Sequence, residues 1–189
     1  MNLLGDIERH AGSDEKEKRD KAAIVALLAR GARAFSRAEY EPGHITGSAF
    51  VLDDKEERVL LVHHGKLDRW LQPGGHAEGS EADAFAIALR EATEETGIAG
   101  LMPHPTAARP FDLDVHRIPE RPGQPAHDHH DVRYVFVAPP GATTQLSEES
   151  KALAWRPLAE ACGPDSDPAF RRAIGKLRLL TFRPSRCPR

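Results

Sequence analysis

The spacing of apolar residues changes character near residue 44. Upstream, Ala23, Ile24, Leu27 and Leu28 recur at helical spacing behind a charged run from Asp14 to Arg19. This predicts an amphipathic helix, with Gly12-Ser13 dividing it from a shorter one and Tyr40-Glu41-Pro42-Gly43 as the hinge that follows. Downstream, Ile45 to Leu52 and Arg58 to His63 are rich in Val and Leu and flank a polar turn, Asp53 to Glu57, which predicts a hairpin. Trp70-Leu71-Gln72 predicts a short strand running into the turn Pro73-Gly74-Gly75. Arg109 to Ile118, Asp131 to Ala138 and Leu153-Ala154-Trp155 complete the strands, with a Pro/Gly-rich loop from Pro119 to Pro125 after the first of them. A last helix is expected over Pro168 to Leu180.

The remaining segment, Gly74 to Ile98, carries two faces on one helix. Phe85, Ala88, Leu89 and Ala92, with Thr96 one turn on, form the stripe of a helix lying on a core. Ser80 and Asp83 are placed as its N-cap and N3 partner, and Gly97 as its stop. Glu91, Glu94 and Glu95 share the opposite sector. Like charges at this spacing cost a helix a few tenths of a kcal/mol, and close carboxylates raise one another's pKa. A hard divalent cation, Mg²⁺ or Mn²⁺, reverses both effects. The alternative is a solvated acidic face, and the Gly-Gly turn just before the helix weighs against it.

Composition narrows the class. The 189 residues suit one domain plus an extension, and 40% hydrophobic with 29% charged residues is ordinary for a soluble chain. A net charge of -3 argues against a dedicated nucleic-acid surface. Cys162 and Cys187 form no metal-ligand spacing or disulfide framework, so a cytoplasmic location is expected, and no apolar run approaches membrane-spanning length. Strands interleaved with two main helices suggest a mixed sheet between helices.

The sequence GGHAEGSE…REATEETGI resembles the Nudix box, G-x5-E-x7-R-E-U-x-E-E-x-G-U, where U is apolar. Gly75 and Glu81 match the first half; Arg90, Glu91, Ala92, Glu94, Glu95, Gly97 and Ile98 match the second. The two halves are one residue further apart than in the pattern: eight residues, Ala82 to Leu89, stand where it has seven, and the extra one is expected in the loop or first turn. Trp155-Arg156-Pro157-Leu158 resembles the W-x-P-L segment common near the end of Nudix domains. The resemblance implies a Nudix-type α/β/α sandwich with a mixed β-sheet over residues 43–182, between a helical N-terminal extension (1–42) and a tail (183–189). It implies a divalent-metal-dependent hydrolase that cleaves a diphosphate linkage in a nucleoside diphosphate joined to another moiety. By resemblance, the metal ligands are Glu91, Glu94, Glu95 and the carbonyl of Gly74, with Arg90 orienting Glu94. The general base is expected in the loop Leu146 to Ser150, Glu149 before Glu148.

Further residues carry looser expectations. In His127-Asp128-His129-His130-Asp131, the first, third and fifth residues share one strand face, as a second metal site, a substrate contact or a polar strand start. Trp70, Gly75, His76, His129 and Arg133 are placed on the substrate cleft. The extension and the Pro-rich insert suggest a covered pocket and favour a nucleotide sugar such as ADP-ribose. The alternatives are a nucleoside triphosphate pyrophosphatase and a non-catalytic ligand-sensing module, although such modules commonly lose the box carboxylates. The N-terminal helices are either a flap or a dimerisation or lid element; a homodimer is favoured because a charged amphipathic helix outside the core needs a partner surface.

Overall fold

The computed structural model describes residues 2–65, 68–147 and 150–182. Its centre is a parallel pair, β1 (Gly43–Leu52) and β7 (His127–Val137), in register from Gly43 opposite Asp128 to Leu52 opposite Val137. β1 also pairs antiparallel with β2 (Arg58–His64) and β4 (Gly74–His76). β7 pairs with β5 (Met102–Pro103) and β6 (Asp112–Ile118), and β2 with β3 (Arg69–Leu71) and β8 (Ser150–Pro157). The result is a mixed eight-stranded sheet. β1 is buried along its whole length, as a central strand covered on both faces must be.

Alternation along β1 sorts its side chains between two layers. Ile45, Ala49 and Val51 pack with Ile87, Ala88 and Ala92 of α3 (Ala84–Thr96); Phe50 and Leu52 pack with Phe170, Ile174 and Leu177 of α4 (Pro168–Leu180). The architecture is the expected α/β/α sandwich preceded by helices. Among the described residues, no helix is long and apolar enough to cross a membrane.

α1 (Leu3–Arg9), α2 (Glu15–Leu28) and a 3₁₀ turn at Gly31–Phe35 join the α3 layer. Ile7 and Ile24 are fully buried there, Leu27 nearly so, and Leu28 packs alongside. Burying side chains of this size contributes about 2 kcal/mol each. The apolar stripe of α2 therefore finds its covering surface within its own chain, which removes the reason given for a homodimer.

A buried polar tie reinforces the docking. The Glu17 carboxylate accepts hydrogen bonds from the Ser13 amide and hydroxyl and from Lys176 of α4, each at 2.7 Å, and from the Leu113 amide at 3.2 Å. The His10 ring lies at 2.7 Å as well. Burial pushes the Glu17 carboxyl up, but these partners outweigh it and hold it well below the usual range.

Several boundaries differ from the sequence pattern, for one reason. Gly74 and Gly75, expected in the turn Pro73-Gly74-Gly75, belong with His76 to a strand because their backbone pairs with Thr46, Gly47 and Ser48. β7 begins at His127, four residues before its apolar run, because pairing with β1 and β6 recruits the polar lead-in. β5, only two residues long, has no alternating run to announce it. α3 starts at Ala84, capped by Asp83, whose side chain accepts from the Phe85 amide at 2.9 Å; Ser80 stays in the loop. Gly97 closes the helix in the left-handed region at φ 69°.

Candidate active site

Two facing glycines set the distance between α3 and the sheet. A Cβ on Gly47 would lie 2.4 Å from the Ala84 carbonyl oxygen, and one on Gly75, its β4 partner, 2.3 Å from Glu91 Oε1. Glycine at 47 lets the α3 backbone settle on β1, and glycine at 75 leaves the Glu91 carboxylate the place it occupies.

Arg90 gathers the carboxylates. Its Nη1 donates to Glu91 Oε1 at 3.1 Å and to Glu94 Oε2 at 2.9 Å. Its Nη2 donates to the His76 carbonyl at 2.6 Å and to Glu81 Oε2 at 3.1 Å. Glu81 stands in the loop before α3 and also accepts from the Glu78 amide at 2.9 Å. The extra residue of the box is thus absorbed before the helix, and Glu81 still reaches Arg90. The Arg90 bonds hold the Glu81 carboxyl below its ordinary range.

The other acidic groups differ in exposure. Burial pushes the half-buried Glu91 carboxyl up even though Arg90 pulls the other way. The Glu94 side chain is 55% exposed, and Glu95 is half-buried. An oxygen-only donor set with one carboxylate unfavourably ionised by burial is the chemistry a hard divalent cation stabilises, so these residues fit such an ion.

The remaining predicted residues separate into other groups. Gly74 pairs with Ser48, which a Cβ there would meet at 2.3 Å. Trp70 stacks under the Arg156 guanidinium at 5.1 Å and, with Leu61, Leu71 and Phe170, lines a pocket of about 270 Å³ that no box glutamate lines. His76 and His129 meet each other, Nε2 to Nε2, at 3.1 Å. Burial pushes the His76 ring down to about 4 and the His129 ring to about 2.

Arg133 is a correction. It is buried and donates to Asp131 at 2.9 Å, Asp114 at 3.0 Å and Asp112 at 3.2 Å, a structural tie that leaves no face for a substrate. Glu148 and Glu149, expected to supply the base, lie outside the described residues. Sequence reasoning missed Gly47 and His44: neither belongs to a local pattern, and only strand pairing gives them neighbours.

A family model described as NUDIX domain matches residues 43–177. Among solved structures, the chain is similar to a C. elegans Ap4A hydrolase in a binary complex, at 18% identity over 72% of this chain and 96% of that one, with a TM-score of 0.57. It is similar to a NUDIX-family hydrolase from Clostridium perfringens at 26% identity, 72% and 97% coverage and a TM-score of 0.51. It is also similar to the E. coli dihydroneopterin triphosphate pyrophosphohydrolase at 19% identity, 70% and 92% coverage and a TM-score of 0.53. Comparison with curated proteins yields no match. These structures share the fold, and the family model spans well over half of the sequence: the chain belongs to the NUDIX family and is a Nudix pyrophosphohydrolase.

Proposed function

We propose that the enzyme hydrolyses the diphosphate linkage of a nucleoside diphosphate joined to a second group, with nucleotide sugars such as ADP-ribose as the favoured class. The observation that carries the reading is the Arg90 assembly, in which one guanidinium holds Glu81, Glu91 and Glu94 beside the Gly75 backbone. A Mg²⁺ or Mn²⁺ ion held by Glu91, Glu94, Glu95 and the Gly74 carbonyl would neutralise diphosphate charge and acidify a bound water. Arg90 keeps Glu91 and Glu94 in place, and Glu81 fixes Arg90, so the acidic side chains need little reorganisation on binding. Glu149, with Glu148 second, accepts the proton from the attacking water. The pocket lined by Trp70, Leu71 and Phe170 suits a base or sugar beyond the diphosphate, and the fully retained late carboxylates favour an enzyme over a sensor.

The test is a screen of nucleotide sugars, dinucleotides and nucleoside triphosphates with Mg²⁺ or Mn²⁺, reading phosphate after phosphatase coupling. Turnover of nucleotide sugars above the other classes supports the assignment. Preference for triphosphates would replace it, and silence on every substrate would turn the reading to a sensor.

A further inference from the structure

β4 has two sides. Gly75 faces Glu91, and the next side chain, His76, joins a second cluster made with β1 and β7. One ligand atom from each of His44, His127 and His129 lies within 4.8 Å of the others, and His76 Nε2 is 3.1 Å from His129 Nε2. The strand register makes this gathering obligatory, since His44 sits opposite His129 and Thr46 opposite both Asp131 and His76.

The hydrogen bonds define what these rings offer. His44 Nδ1 is 3.0 Å from the Glu39 carbonyl, and His127 Nδ1 is 2.7 Å from the Pro125 carbonyl. A carbonyl can only accept, so both Nδ1 atoms carry a proton, and in the neutral ring each Nε2 is left with its lone pair. Both side chains are fully buried, and neither Nε2 has a partner. Two orphaned buried acceptors aimed into one histidine cluster are costly as they stand. An imidazole whose far nitrogen donates to a backbone carbonyl is the arrangement that orients a metal ligand.

We propose that His44, His127 and His129, joined by His76, form a nitrogen-donor site for one zinc-type transition-metal ion, separate from the carboxylates of α3. All-imidazole donors suit zinc and its neighbours rather than Mg²⁺. With Zn–N bonds near 2.0–2.1 Å, a tetrahedral site has nitrogens about 3.3 Å apart, so the His76–His129 spacing is close to an edge, and the His44 and His127 nitrogens, within 4.8 Å of that of His129, would draw inward around the ion. Tyr40, edge-on to His127 at 5.2 Å, packs beside the cluster, and the half-buried His76 and His129 give the ion its way in. The ion would clasp β1, β4 and β7 together and fix the backbone on which Gly75 stands.

The test loads chelator-treated full-length protein with Co²⁺ and, separately, Zn²⁺. One equivalent of Co²⁺ should give the intense visible bands of four-coordinate nitrogen ligation. The bands should persist in Glu94→Gln and vanish in His127→Asn and His129→Asn, with zinc affinity falling at least about a hundredfold, beyond what loss of an outer-shell partner alone does. Zinc X-ray absorption on the unmutated protein should show a shell of imidazole nitrogens, which decides the matter even if a variant fails to fold. An oxygen-only shell, or bands that follow Glu94 rather than the histidines, would overturn the proposal.

Discussion

Arg90 and Arg133 each donate hydrogen bonds to three carboxylates, and they do opposite work. Arg90 sits among Glu81, Glu91 and Glu94 at the edge of α3; Arg133 sits among Asp112, Asp114 and Asp131 inside the sheet. Burial separates them. The Arg133 group is at most 6% exposed in any side chain, and Asp112 is shared with Arg172 and Lys176. Around Arg90, Glu94 is 55% exposed and Glu91 is pushed up by burial instead of being held down. Carboxylates whose lone pairs are saturated by buried cations hold a fold together; carboxylates with spare coordination at an open edge can take a metal.

The comparison can be broken most sharply at Glu94. Glu94→Gln should lower turnover on the order of a thousandfold, while the melting midpoint stays within about 2 °C, since an exposed ion pair contributes little. Turnover and melting are measured on one preparation, and a variant that melts early but still turns over would reverse the two roles. Asp112→Ala should do the converse. Removing a partner from the buried group costs about 3–5 kcal/mol and should lower the midpoint by about 10 °C, with turnover of the folded fraction nearly unchanged.

Gly75→Ala tests whether the close approach matters. The new methyl would displace the Glu91 carboxylate, and a shift of about 1 Å at such a site can cost a hundredfold in turnover with little change in melting. Wild-type kinetics in this variant would detach Glu91 from the chemistry. The smallest effect is an order of events on acidification. Glu91 is raised, so in the metal-free protein it takes a proton first. Glu17 and Asp114 are depressed, the former by its hydrogen bonds, the latter against burial by His116, Arg133 and Lys16. Their stabilisation is full above the unfolded carboxylate pKa of about 4 and is lost as pH falls through their folded values. On acidification, Mn²⁺ binding should therefore weaken before the melting midpoint falls, and simultaneous loss of both would erase the distinction.

The same contrast explains what could be read from the chain. The α3 site was legible because its parts are consecutive: helical period places Glu91, Glu94 and Glu95 on one face and Gly97 at the end. The hairpin β1–β2 was legible because its apolar runs flank a polar turn. Arg133 was misread because a sequence displays a charge without its depth, and the three aspartates that engage it come from β6 and β7. His44 carried no signal, since the strand that gives it meaning lies more than eighty positions downstream, and Gly47 gains its meaning only when β4 and α3 come to lie against it. Asp83 rather than Ser80 caps α3 because the loop holding Glu81 against Arg90 uses up the intervening residues.

The bond between Glu17 and Lys176 also fixes an order of events during synthesis. Its partners are 159 residues apart. At roughly 5–20 residues per second, a ribosome completes that interval in about 8–30 s, with further delay while the exit tunnel clears. Throughout that time Glu17 lacks its lysine, and for most of it the apolar stripe of α2 waits for β6 and β7, which are complete only at Val137. α4 thus secures α2 only long after α2 is made, a contact of very long range that makes the final docking of α2 a late step. Nascent chains halted before residue 168 should leave residues 15–28 open to protease, and chains released after residue 182 should protect them.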